Sequence, residues 1–286
     1  MPMDAPSSAD LDEKYWRELR EKSAFAGITL DESISFADFA LYGDRIAGRQ
    51  MDMYRRVGGR PFGEASILDI GCGVGRLLKP FSMHFARAVG VDMNERILDA
   101  ARDYIGDRAN VELVKNDGRT VPFPDNSFDY VFCGGVLQHV PDIDVIMGYF
   151  REGLRVLKPG GVLNYSVMVW MKSRKGGIEG DRVGAKIVAS DLEALLNDTG
   201  HLLTAIFSDP QDPNPHFQIM LRKSAPFAAA LRSIKRRISP FEITPSSVTP
   251  MKVRTGTFED LPSYTKLRAQ WASGKRKPVT FFSRPD

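Results

Sequence analysis

Between Ser66 and about Leu221 the chain alternates short β-branched runs with stretches whose apolar residues recur at helical spacing. The short runs are SILDI (66–70), RAVGV (87–91), VELVK (111–115), FDYVF (128–132) and GVLNYSVMV (161–169). Two more, LLTAIF near Leu202 and HFQIML near His216, complete the series. Helical patterns fit between them: GRLLKPFSMHF, NERILDAARDYI and the stretch Ile143 to Leu157. A further helix opens on the Ser190-Asp-Leu-Glu193 capping box and stops at Gly200. Strands alternating with helices in this way predict an α/β fold, with a mostly parallel seven-stranded sheet flanked by helices on both faces. Ligands of such sheets sit beyond the carboxyl ends of the strands, where the strand order reverses.

Outside that body the pattern changes. The first 63 residues hold two helical patterns, one over Leu11 to Lys22 with Tyr15 and Trp16, the other over Asp44 to Val57. Three regions are therefore expected: N-terminal helices over 1–63, a core over 64–222 and a C-terminal extension over 223–286. The N-terminal helices either cover a ligand or pack on the sheet edge. Between Met171 and Ala189 lies a polar, glycine-rich insertion carrying Lys172, Arg174 and Lys175, preceded by Trp170. A loop at this place is suited to completing a substrate pocket.

Charge sharpens the division. From Arg222 to Asp286 there are 14 basic and 4 acidic residues, whereas the first 221 residues carry 25 basic and 32 acidic. An acidic body thus bears a tail of net charge +10, which points to an anionic partner without identifying it. Phe227, Leu231, Ile234 and Ile238 share one helical face in that tail. The face suits docking on the body or on a second subunit, a homo-oligomer through the extension. It also suits a membrane surface or an anionic substrate.

No apolar run approaches the roughly 18 residues of a membrane span. The N-terminal stretch MPMDAPSSADLDEKYW lacks the basic-then-apolar order of a secretory signal, so a cytoplasmic location is expected. Two cysteines, Cys72 and Cys133, are too few for a disulfide framework or a metal knuckle. The histidines at 84, 201 and 216 have no carboxylate or cysteine partner at ligand spacing, so no metal site is expected.

The first strand runs into Asp69-Ile-Gly71-Cys-Gly73-Val-Gly75-Arg76. Glycines here let the backbone turn tightly and let a ligand approach closely. A nicotinamide site calls for G-x-G-x-x-G, and Arg76 stands where its third glycine would be. The spacing is instead G-x-G-x-G, with a carboxylate two residues before the first glycine. Asp92 ends the second strand about 20 residues on, where an acid can accept both hydroxyls of a ribose. Asn116-Asp117-Gly118 ends the third strand and sets a carboxylate beside a purine-sized pocket.

Together ILDIGCGVGR, VGVDMN, FPDNSFDYVF and LRVLKPGG, in this order, resemble the class I S-adenosylmethionine-dependent methyltransferases, in particular the group related to quinone-biosynthesis enzymes. The resemblance spans roughly Ile67 to Val169 and implies a Rossmann-like fold with S-adenosyl-L-methionine as cofactor. It implies that Asp69, Gly71, Gly73 and Gly75 line the methionine and ribose part. Asp92 would hold the ribose hydroxyls, Met93 would lie against the adenine, and Asp117 with the Gly118 backbone would recognise the adenine amino group. Simpler roles stand beside these: Asp92 as a helix cap and Asp117 as a turn residue. Arg45 or Arg49 is left to meet the cofactor carboxylate, with nothing to choose between them.

Methyl transfer from a sulfonium is an in-line displacement that needs a base only when the acceptor must lose a proton. His139, after the fourth strand, is the candidate base; packing beside the cofactor is its other reading. No Asn/Asp-Pro-Pro-Tyr/Phe motif follows the fourth strand, where Cys133-Gly-Gly stands, and no Pro-Cys nucleophile occurs. Elimination leaves a small-molecule acceptor, most simply an oxygen nucleophile. Two rivals are methylation of RNA or another macromolecule recruited by the basic tail, and a regulatory protein that binds the cofactor without turnover. Nucleic acid is the less favoured partner.

Overall fold

The computed structural model describes residues 35–168, 187, 189–199, 201–208 and 216–226. The helical pattern over Leu11 to Lys22, the insertion with Trp170 and Met171, and the amphipathic face from Phe227 to Ile238 lie outside the described residues. Seven strands form one sheet: β1 (Ser66–Ile70), β2 (Arg87–Asp92), β3 (Val111–Lys115), β4 (Phe128–Cys133), β5 (Leu157–Met168), β6 (Leu202–Ser208) and β7 (His216–Arg222). Their order is β3-β2-β1-β4-β5-β7-β6. Pairings among the first five strands are parallel, and β7 runs antiparallel to both β5 and β6. The fold is therefore the expected Rossmann-like one. Strand order reverses between β1 and β4, so the crevice for a ligand falls at the carboxyl ends of those two strands.

Each face of the sheet carries its own apolar core. On one, α4 (Ile143–Val156) and α5 (Ala189–Thr199) bring Ile146, Phe150, Leu154, Leu192 and Leu196 against Leu68, Val131 and Leu163. On the other, α1 (Phe36–Arg56), α2 (Leu78–Ser82) and α3 (Glu95–Ile105) bring Phe39, Tyr54, Phe81 and Ile97 against Ile67, Tyr130 and Val162. Strands β1 and β4 are buried along their whole length, which is why they read as unbroken apolar runs rather than alternations.

Two helices depart from the pattern read off the chain. Helix α1 begins at Phe36, not Asp44. Ser35 caps it, its hydroxyl accepting from Asp38 N–H, and the buried stripe Phe39, Gly43, Ala47, Gln50, Tyr54, Val57 is continuous. Glycine at 43 interrupts the apolar periodicity and hides the first two turns. Helix α2 spans only five residues of GRLLKPFSMHF. The chain is still in the glycine turn at Gly75, and Pro80 is tolerated because N–H groups of a first turn have no intrahelical partner.

Helix α1 is pinned to the sheet by polar contacts as well. The Asn164 amide of β5, fully buried, donates to Gln50 Oε1 at 2.8 Å and to the Tyr130 hydroxyl at 2.9 Å. Arg222 of β7 donates to the carbonyls of Val57 and Gly58, satisfying the end of α1. From residue 36 onward, the expected N-terminal helical region is thus packed on the sheet face that leads up to the glycine turn.

Candidate active site

After β1 the chain turns through Gly71, Gly73 and Gly75, at φ of 69°, 56° and 78°, a region where an L side chain is strained. The N–H groups of Gly71 and Cys72 both donate to Val91 O, at 2.8 and 3.0 Å, seating the turn on the end of β2. A side chain at Gly71 would also collide with Val136, whose Cγ2 would lie 2.3 Å from the added carbon. The turn and the segment after β4 are therefore in contact at the point where strand order reverses.

Asp92 is held by both oxygens. Oδ2 accepts from Gly73 N–H at 3.2 Å and Oδ1 from Asn94 N–H at 3.0 Å. Capping of α3 falls to Asn94, whose side chain accepts from Ile97 N–H. Asp92 thus links the turn to the start of α3, and its carboxylate is fixed at the lip of the turn. This is more than the cap that was its alternative reading.

Asp69 is different. It is buried, and among the described residues nothing donates a hydrogen bond to its carboxylate. Burial raises its pKa, Asp92 raises it further and Arg76 lowers it only partly, so that it lies at about 8. Arg76, directly after the last glycine, has a buried Nε without a hydrogen-bond partner. Its guanidinium lies 5.4 Å from the Phe39 ring centroid and 5.2 Å from that of Tyr42, both on α1. Gly43 lets α1 come this close: a side chain there would place its first carbon 2.6 Å from Arg76 O.

At the end of β3, Asp117 is exposed and its carboxylate is engaged within its own turn. It accepts from Arg119 N–H at 2.9 Å, Thr120 N–H at 2.6 Å and the Thr120 hydroxyl at 3.0 Å. Partial burial pushes its pKa up, but these bonds outweigh that and leave it below the usual carboxylate range. The turn-residue geometry is therefore present, whatever further contact the loop makes. Gly118 has φ of 73° and faces Met93, whose sulfur would lie 3.5 Å from an added side-chain carbon. Met93 itself is 40% exposed, so the two residues meet at the surface.

After β4, Leu137–His139 form a single 3₁₀ turn. His139 N–H donates to Val136 O at 2.9 Å, tying the histidine to the residue that touches Gly71. Its Nε2 lies 2.9 Å from Gln138 Nε2, a contact in which the amide N–H donates and the ring nitrogen accepts. Cys133 is fully buried and burial pushes its thiol far up, the condition of an inert core thiol.

The fold alone is shared with magnesium protoporphyrin IX methyltransferase from Synechocystis PCC 6803, solved with bound S-adenosylhomocysteine. That likeness has a TM-score of 0.56 at 17% identity and covers 76% of this chain and 100% of the other. Residues 68–164 match the family model described as a methyltransferase domain. This segment is a class I S-adenosylmethionine-dependent methyltransferase domain, distantly homologous to demethylmenaquinone methyltransferases. The curated relatives include the Listeria welshimeri enzyme of that name, 39% identical over 107 residues (34% of this chain, 42% of that protein). Another, from Staphylococcus aureus, is 34% identical over 141 residues, 47% of this chain and 52% of that protein. The chain spans about half, or less, of the length of the curated relatives it matches.

Three features escaped the reading of the sequence. Arg76 registered only as the residue that breaks a nicotinamide fingerprint, because periodicity says nothing about which side of a turn a long side chain takes. Val136 carried no signal, since its role is a contact with a glycine 65 positions away. Gly43 gave a signal that pointed the wrong way: a glycine in a helix costs about 0.5–1 kcal/mol relative to alanine, and only the approach of α1 to Arg76 explains it.

Proposed function

We propose that this protein is an S-adenosylmethionine-dependent methyltransferase acting on a small-molecule acceptor, with an acceptor oxygen as the methylated atom. The observation that carries the cofactor reading is the fixed Asp92 carboxylate, bonded to Gly73 N–H at the lip of a turn of positive-φ glycines. A carboxylate oriented in advance by two backbone amides is suited to accept from the paired hydroxyls of a ribose. The turn exposes backbone without a Cβ at Gly71, Gly73 and Gly75, with Val136 and Ile105 packed against the first and last of them, and two groups beside it, Asp69 and Arg76, have hydrogen-bonding capacity to spare. Met93 and Gly118 supply an apolar surface and a backbone edge of the kind a purine needs.

When bound, the cofactor supplies an electrophilic methyl group on a sulfonium. The chain's part is alignment and exclusion of water, and positioning alone is worth about 7–11 kcal/mol of barrier. His139 would take the proton of an acceptor hydroxyl at Nε2, the acceptor displacing the Gln138 amide that now donates there; its turn is anchored through Val136 to Gly71, the first glycine of the cradle. The demethylmenaquinone methyltransferases to which the domain is homologous are named for a quinone-type small molecule, which supports the acceptor class. Cys133-Gly134-Gly135 in place of an amide- or amine-directed motif argues against that class of nitrogen nucleophile.

Methyl-labelled cofactor should transfer label to hydroxylated aromatic or quinol acceptors, and mass spectrometry should locate it in a methyl ether. His139→Ala should lower turnover about 10²–10⁴-fold with cofactor affinity unchanged. Label found on carbon or nitrogen would refute the oxygen assignment. Wild-type turnover in the variant would return His139 to a packing role.

A further inference from the structure

A neutral imidazole takes a proton only at the ring nitrogen that carries none, so its tautomer decides whether His139 presents a base or a donor to an acceptor hydroxyl. The two nitrogens of this ring are not equivalent. Nδ1 is buried, whereas Nε2 lies 2.9 Å from the amide nitrogen of Gln138 in a part-buried contact. An amide NH₂ has no lone pair to offer, so Nε2 accepts and the ring proton sits on Nδ1. Turn geometry does not bring these two side chains together by itself. Consecutive residues of a 3₁₀ turn such as Leu137–His139 point about 120° apart. Leu137 is buried as the anchor of that turn, and the His139 backbone is held by Val136 O. Gln138 meets its neighbour because its long side chain bends back across the turn.

We infer that Gln138 is a positioning residue: its amide holds His139 in the tautomer protonated at Nδ1 and keeps the Nε2 lone pair available until an acceptor hydroxyl takes the amide's place. The inference rests on the reading of His139 as the base. A hydroxyl, like the amide, donates to Nε2, so the exchange replaces one hydrogen bond by another and leaves the tautomer unchanged. The hydroxyl proton then passes to Nε2 as the acceptor oxygen bonds the methyl carbon and the carbon–sulfur bond breaks. The products are a methyl ether, a neutral thioether and an imidazolium protonated at both nitrogens. Turned over, the same amide offers Oε1 to the new Nε2–H. Glutamine alone among the long polar side chains can do both: a glutamate here would only accept and hold the proton on Nε2, and a lysine would only donate.

Nitrogen NMR of the full chain with ¹⁵N-labelled histidine reads the tautomer directly and needs no acceptor. The chain has His84, His139, His201 and His216, and the spectrum of His139→Gln identifies the signals of residue 139 by their loss. At about pH 9, well above the ordinary imidazole value of about 6.5, the wild type should show Nδ1 protonated and Nε2 bare. Gln138→Glu keeps the shape, can only accept, and should move the proton to Nε2. Gln138→Leu removes the contact and should give a mixture of the two forms; either variant alone makes the comparison should the other fail to fold. With a quinol acceptor, Gln138→Leu should also lower kcat about two- to tenfold, the worth of one neutral hydrogen bond. A wild-type ring protonated at Nε2, the same tautomer in wild type and variants, or an unchanged kcat in Gln138→Leu would overturn the assignment. Full turnover in His139→Ala, with the tautomers as expected, would instead refute the base reading, and the catalytic role of Gln138 with it.

Discussion

Two buried aspartates on neighbouring strands of this sheet have opposite fates. Asp129, at the amino end of β4, accepts from Ser66 N–H at 2.9 Å, the Ser66 hydroxyl at 2.8 Å and Lys158 Nζ at 2.8 Å. Burial pushes its carboxyl up, but Lys158 and Ser66 outweigh burial and hold it below its usual range. Asp69, at the carboxyl end of β1, is as deeply buried, receives no such bonds among the described residues, and is pushed up to about 8. The arginines repeat the contrast. Arg155 donates to the carbonyls of Val121 and Phe123 and pairs with Glu152 and Asp125. Arg76 has none of these. Charges at the amino end and along α4 are spent on holding the fold, whereas Asp69 and Arg76 at the carboxyl end of β1 have no such bonds among the described residues.

The largest effect should come from breaking the spent pair. Asp129→Ala leaves Lys158 and the Ser66 amide without their acceptor, and should cost about 3–5 kcal/mol of stability in denaturant unfolding. Affinity for S-adenosylhomocysteine in the folded protein should not move. Loss of affinity at unchanged stability would erase the distinction between the two ends. Asp92→Ala should do the reverse, costing about 1.5–3 kcal/mol of cofactor binding by calorimetry. Its effect on stability should be smaller than that of Asp129→Ala, because Gly73 and Asn94 N–H groups at the lip can turn to water.

The smallest effect is the most diagnostic. A carboxyl whose folded pKa is about 8, against a reference near 3.9, binds its proton more tightly in the folded state. Asp69 therefore contributes stability that is complete below pH 4 and is lost as pH rises towards 8 and through it. Asp69→Asn should flatten the fall in melting temperature over that range. A slope that survives the substitution would mean that Asp69 does not carry it.

How much of this was legible depends on what each residue does locally. The strands were readable because β1, β2 and β4 are covered on both faces and so cannot hide their apolar runs. The glycine turn, Asp69 and Asp92 were readable because tight backbone geometry and a ligand's chemistry fix residue types at fixed spacing. Direction was not: β7 runs antiparallel to its neighbours, and an apolar run has no polarity. What spacing could not show is how differently Asp69 and Asp129 are held, since the partners of Asp129, Ser66 and Lys158, lie 63 and 29 positions from it in the chain. Arg76 was passed over for the same reason, its environment being made by α1. Helix α1 itself was half hidden by the glycine that allows it to reach the site.

The ligand proposed for the glycine turn, with Asp69 and Asp92 beside it, is an adenosyl amino acid. Titration of the full chain with S-adenosylhomocysteine near pH 7, in two buffers of different ionisation heat, tests it directly. Asp69 is largely protonated there, and a facing ammonium favours its ionised form. Binding should therefore release a substantial fraction of one proton, affinity should rise with pH up to about 8, where the Asp69 carboxyl titrates, and NAD should give no heat. Binding of NAD without a response to S-adenosylhomocysteine, or binding of S-adenosylhomocysteine with no proton released in the wild type, would contradict it.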